Sequence, residues 1–152
     1  MQNNKIFKSG FTIMEILVII AVLGILMGLV SRGGTLVRKK AKIYQAKTMI
    51  AALETALALY HVDFGAYPGS GNQNLVNLLA DSATYSSVSD WNGPYLSFKP
   101  EDLNATIPNA TVIDSWGNDL YYNLDSLPPY RIWSSGPNLI DENGLGDDIK
   151  SW

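Results

Sequence analysis

The 152 residues include no cysteine and a single histidine, His61. Without thiols there is no disulfide to staple a small domain and no thiolate for zinc, and one imidazole does not make a transition-metal site. No G-x-S-x-G elbow, glycine-rich phosphate loop or HExxH helix occurs, so the chain carries none of these signatures of nucleophilic, phosphoryl-transfer or metalloprotease chemistry, and it reads as a non-enzyme. His61, near the end of a helical segment, reads as a surface residue facing the helix dipole. Charge is also lacking in places. Between Phe11 and Val30 there is no basic residue and one acid, Glu15. Residues 31–50 hold six bases and no acid, whereas from residue 51 onward three bases stand against thirteen acids, a net of −10. The basic block directly follows the apolar run, a place that suits lipid headgroups or neighbouring protein and not nucleic acid.

The apolar run itself is FTIMEILVIIAVLGILMGLV, Phe11 to Val30. As a helix, its twenty residues rise ~30 Å, about the thickness of a bilayer's hydrocarbon core. A carboxylate at that depth costs roughly 2.5–3.5 kcal/mol, so Glu15 is a functional candidate in need of a partner. The leader before it, MQNNKIFKSG, is too short and too polar for a secretory signal peptide. Lys5 and Lys8 precede the run and six bases follow it; by charge alone the later part of the chain would stay in the cytoplasm.

Beyond Val30 the pattern becomes amphipathic. Ile43, Ala46, Ile50, Leu53, Leu57, Tyr60 and Phe64 recur at alternating steps of three and four, one stripe of a helix. It lasts only about three heptads, which favours packing on a small sheet over a coiled coil. Residues 11–62 together predict a helix of ~78 Å. Gly33-Gly34 is a weak point in it, and Gly24 and Gly28 have the spacing that brings helices close. Gly65 and Pro68 end it. A short helix is predicted over residues 74–80, capped by Asn72 or Asn74, then a Ser/Asp-rich loop. Segments 119–125 and 130–135, joined through Ser-Leu-Pro-Pro, predict a hairpin with its prolines in the connection. A last short strand is expected around Ile149 to Trp152.

Lys8-Ser9-Gly10 followed by Phe11-Thr12-Ile13-Met14-Glu15 and an unbroken apolar helix resembles the signal of type IV pilins and type II secretion pseudopilins. Farther on, Asp114-Ser115-Trp116-Gly117-Asn118, Ser135-Gly136-Pro137-Asn138 and Asp147-Asp148-Ile149-Lys150-Ser151-Trp152 resemble the C-terminal half of the major type II secretion pseudopilins, and the absence of cysteine favours that branch over the pilins. The resemblance implies a type IV pilin-like α+β fold, a long N-terminal helix on an antiparallel sheet of about three strands. It implies four segments: a cleaved leader (1–10), a membrane and filament-core helix (11–34), its amphipathic continuation (35–64) and a periplasmic domain (65–152). A prepilin peptidase would cut between Gly10 and Phe11 and methylate the new amine, with which Glu15 of a neighbouring subunit would pair. The implied topology is single-pass in the inner membrane, leader cytoplasmic and domain periplasmic, the reverse of the charge count. The implied function is a filament subunit of type II secretion that works with minor pseudopilins and an inner-membrane assembly platform; a type IV pilin or competence pseudopilin is the alternative. Family helices often carry proline where this chain has Arg32.

Asp141, Glu142, Asp147 and Asp148 crowd eight residues. Calcium takes about six to eight oxygens from carboxylates, carbonyls and water. The resemblance implies one calcium ion, held by the side chains of Asp147 and Asp148, by Asn138 in the place of a family aspartate, and by the carbonyls of Ser135 and Ile140. Asn138 is neutral where the family is charged, and the loop is longer by about two residues; Asp141 or Asn143 is expected to compensate.

Overall fold

The computed structural model describes residues 10–125 and 127–152, apart from the side chains of residues 29–34. Lys5, Lys8 and the rest of the leader before Gly10, and the Arg32 side chain, lie outside the described residues. The chain divides into two compact units, Met1–Arg38 and Lys39–Trp152.

A single helix, α1, runs Ile13–Phe64, including Gly33 and Gly34. It starts where Thr12 can cap it: the Glu15 N–H donates to the Thr12 carbonyl (3.1 Å) and to its Oγ1 (3.3 Å). In the first unit every large apolar side chain from Ile13 to Met27 is exposed. Among the described residues no helix is long and apolar enough to cross a membrane; the described side chains of the apolar run stop at Gly28.

In the second unit the predicted stripe faces the core. Ala46, Ile50, Leu53, Leu57 and Tyr60 are buried, with Ile43 and Phe64 packed at the edge. The helix closes on Gly65, whose φ of 67° suits a residue without Cβ, and whose N–H donates to the His61 carbonyl at 2.8 Å. The second helix, α2 (Asn72–Ala80), buries Leu75, Val76 and Leu79. Neither Asn72 nor Asn74 caps it; Gly71 holds that place without a side-chain bond. The Asn72 amide is instead drawn into the core, where it donates to the carbonyls of Val112 and Leu120 and accepts from the Val112 N–H, all at 2.8 Å. Inside the expected loop a further turn of helix forms, α3 (Ser82–Tyr85), capped by Asp81 accepting from Thr84 N–H.

The sheet has three antiparallel strands in the order β1 (Tyr121–Leu124), β2 (Tyr130–Ser134), β3 (Ile149–Lys150). Tyr121 faces Trp133 and Leu124 faces Tyr130 across the hairpin, and Ser134 faces Ile149 across the second pairing. The expected α+β fold is thus present, with strands shorter than their alternating patterns. Tyr122 and Ile132 point into the core with the α1 stripe and α2. Tyr122 is buried, donates its hydroxyl to the Pro68 carbonyl at 2.7 Å, and has its pKa raised well above the usual phenol value by that burial and by neighbouring Tyr130.

Candidate functional site

In the first unit Gly10 and Phe11 precede the helix and are exposed, Phe11 by 72 %. Glu15 lies in the first turn, where the helix dipole favours a carboxylate. It forms no ion pair among the described residues.

The acidic loop belongs to the second unit. Residues 135–148 connect β2 to β3, and the pairing of Ser134 with Ile149 sets Ser135 beside Asp148. The chain turns at once into a short 3₁₀ segment, Gly136–Asn138. Gly136 has φ of 63°, and a Cβ there would overlap the Asp147 carbonyl, so only glycine permits this close approach. Three of the expected residues, Ser135, Asp147 and Asp148, are therefore brought together by backbone.

Asn138 joins them through a residue that the sequence pattern did not single out. Its Oδ1 accepts from Ile140 N–H at 2.7 Å, and its amide nitrogen donates to Glu142 Oε2 at 3.2 Å. The same Glu142 oxygen accepts from Asp147 N–H at 3.3 Å, and the missing Cβ of Gly146 makes room for the carboxylate. Glu142 thus ties the Asn138 end of the loop to the Asp147 end. Nothing in the sequence separated it from its acidic neighbours. Of the two residues expected to compensate, Asp141 turns its Oδ1 to Trp133 Nε1 (2.8 Å) and to the N–H of the other, Asn143 (2.9 Å). The Ile140 N–H is the one held by Asn138, and its side chain is exposed.

Asp148 Oδ2 accepts from the N–H groups of Glu142 (3.0 Å) and Gly144 (2.8 Å). Asp148 Oδ1 is buried and has no hydrogen-bond partner. A buried carboxylate oxygen left unpaired costs more than a neutral one, and a cation beside it would remove that cost. Among the described residues no group of three or more His, Cys, Asp or Glu stands close enough to hold a metal ion. A site here would combine the two aspartates with neutral amide and carbonyl oxygens, an all-oxygen set that suits calcium and not zinc. Asp147 and Asp148 also border a cavity of about 360 Å³ with Lys39 and Lys47, so part of the basic block faces the acidic loop. Lys42 lies over the Trp116 ring, 5.9 Å from its centroid.

Asp114 forms the turn expected of Asp-Ser-Trp-Gly. Its N–H donates to the Asn118 carbonyl at 2.7 Å, and Gly117 N–H returns to the Asp114 carbonyl at 3.0 Å.

Comparison with known proteins agrees with this architecture. Residues 36–152 match the family described as "Type II secretion system (T2SS), protein G". The chain is 32% identical to the type II secretion system core protein G of Escherichia coli K12, covering 95% of this chain and 91% of that one. Its identity to the core protein G of Aeromonas hydrophila is also 32%, over 100% of this chain and 96% of the relative. The core protein G of Dickeya chrysanthemi is 41% identical over 95% of this chain and 86% of its own length.

Proposed function

The chain belongs to the type II secretion system protein G family, the major pseudopilins, and we propose that it polymerises from the inner membrane into a short periplasmic filament that drives folded proteins outward. Its role as a pseudopilus subunit of type II secretion follows from the family, as does association with a membrane. The finer reading is a single-pass subunit with its leader cytoplasmic and its globular unit periplasmic. Cleavage after Gly10 by a prepilin peptidase would free and methylate the Phe11 amine. Minor pseudopilins and an inner-membrane assembly platform would be its partners, and no catalytic step is assigned to it.

The observation that carries this reading is the run of exposed apolar side chains of α1 from Ile13 to Met27, far more apolar surface than a monomer leaves in water. Lipid would cover it before assembly and neighbouring helices afterwards. Beyond Lys47 the exposed residues of α1 are also uncharged: Thr48, Ala51, Thr55, Ala58, Leu59 and Val62, and the hydroxyls of Thr48 and Thr55 turn back to the carbonyls of Tyr44 and Ala51 at 2.9 Å.

Glu15, buried in such a filament, would pair with the Phe11 amine of an adjacent subunit and offset the desolvation of both. Deletion of the gene should abolish export of the secretion substrate, and the wild-type chain should restore it. Glu15→Ala should be cleaved and inserted yet restore neither export nor filaments. Full filament yield from Glu15→Ala would disprove the pairing; unimpaired export in the deletion strain would disprove the secretion role.

For the acidic loop the reading is one calcium ion held by Asp147, Asp148, Asn138 and the carbonyls of Ser135 and Ile140. It is supported by the unpartnered Asp148 Oδ1 and by the all-oxygen donor set. The bound ion supplies positive charge that lets adjacent carboxylates share one small loop.

A further inference from the structure

Ser134 is fully buried at the end of β2 and Asp114 nearly so, at 0% and 6% exposure. The Ser134 hydroxyl donates to Asp114 Oδ2 at 2.6 Å, and Asp114 Oδ1 accepts from the N–H groups of Trp116 (2.9 Å) and Asn118 (3.0 Å). Three donors thus fix a buried carboxylate that belongs to a different turn of the chain. The Ser134 oxygen in its turn accepts from Gly136 N–H at 3.1 Å.

That N–H belongs to the same peptide group as the Ser135 carbonyl. A trans peptide is planar and its N–H and C=O point in opposite directions. Whatever holds the Gly136 N–H therefore sets the direction of the Ser135 oxygen. Gly136 leaves no room for a Cβ beside the Asp147 carbonyl, so the segment that carries the Ser135 carbonyl lies against the one that carries Asp147.

We infer that Asp114 and Ser134 are positioning residues for cation binding, aiming the Ser135 carbonyl through the Ser135–Gly136 peptide. The inference rests on the calcium reading given above. It accounts for why an Asp-Ser-Trp-Gly turn and a Ser-Ser-Gly-Pro turn, twenty residues apart, are joined by one chain of hydrogen bonds: the first supplies a charged anchor and the second a ligand. Without the Ser134 hydroxyl the peptide plane is free to turn, and the entropy of fixing the carbonyl falls on the binding step.

The test uses the full chain in detergent micelles, titrated with calcium against terbium luminescence sensitised by the tryptophans. Melting is followed in parallel in excess calcium and in chelator. Ser134→Ala removes the link, and Asp114→Asn keeps an acceptor for Trp116 and Asn118 while withdrawing the acceptor for Ser134. Each should weaken calcium binding by about tenfold, within the range for groups that orient metal ligands. The double variant should be no weaker than either single one, because both cut the same chain. The gap between melting in calcium and in chelator should narrow in each.

A purely structural role predicts lower melting in both conditions, an unchanged gap and wild-type affinity; that result in either folded variant overturns the inference. If the wild type binds calcium and Asp147→Ala does not, the calcium reading stands however the other variants behave. If the wild type binds none, that reading falls and this inference with it.

Discussion

The Asn72 side chain joins α2 to two backbone segments at once, with both its donors and its acceptor used at 2.8 Å. Each such neutral bond is worth about 1 kcal/mol net, and more when its loss strands a buried partner. Asn72→Ala should lower stability by roughly 2–3 kcal/mol in urea unfolding, and Asn72→Asp by at least as much, since it sets a charge against the carbonyls of Val112 and Leu120. A loss under 0.5 kcal/mol, as at an ordinary surface site, would contradict this. Tyr95 makes a second residue-scale case. Burial, and then its 2.7 Å bond to Asp63, push its phenol up to about 12. A phenol whose folded pKa is raised favours the folded state fully below its unfolded value near 10, and that contribution is lost as pH climbs through about 12. Tyr60, Tyr122 and Tyr130 are shifted the same way, chiefly by burial. Unfolding free energy should therefore fall between about pH 10 and 12, and Tyr95→Phe should make the fall shallower; identical profiles would count against it. None of this was legible in sequence. The Asn72 partners lie 40 and 48 residues away, whereas its local setting reads as a helix cap. Glu142 and Asp141 look alike in a row of acids until Trp133 claims one and Asn138 the other.

Among the elements, the part of α1 in the second unit was readable because its signal is periodic and its burial one-sided. Leu53 and Leu57 are fully buried, while Leu59 on the other side is half exposed. Leu57→Ala should cost about 2–5 kcal/mol through lost burial and a residual cavity, and Leu59→Ala less than about 0.5 kcal/mol in the monomer, both checked by denaturant unfolding. On the proposed filament reading assembly would cover the exposed face that holds Leu59; Leu59→Ala should then lower filament yield while leaving monomer stability alone. Gly65 ends the helix as its sequence announces. The hairpin was legible from alternation and from Pro128-Pro129, but the alternation runs past the hydrogen-bonded part, so the strands come out shorter than expected. α3 was missed because a single turn has too few residues to show a period, and Asp81 as its cap becomes recognisable only once α2 is seen to stop just before it.

At the scale of the whole molecule, the globular unit has no disulfide, an acidic surface, and a loop that returns from β2 to β3 around two adjacent aspartates. Its ends are anchored by strand pairing, by Gly136 against Asp147, and by Lys150 Nζ donating to the Gly144 carbonyl at 2.7 Å. Its middle is held by Glu142 and by the N–H groups that face Asp148. Among the loop's buried side-chain oxygens and nitrogens these contacts leave only Asp148 Oδ1 without a partner, which is where a cation would add most. A ligand that binds only the folded form stabilises it by RT ln(1 + [L]/Kd), about 2.7 kcal/mol at a hundredfold excess over Kd. The chain should therefore melt higher in calcium than in chelator, and Asp147→Ala should remove the difference. The neutral Asn138 would make a weaker site than a third carboxylate, so the titration has to reach millimolar calcium. Glu142→Gln separates charge from geometry: the amide oxygen still accepts from Asn138 and Asp147, so melting in chelator should stay as in the wild type. If instead the wild-type melting temperature is the same with calcium and with chelator up to that concentration, the loop is held by its own hydrogen bonds, and Glu142 does there what the ion was expected to do.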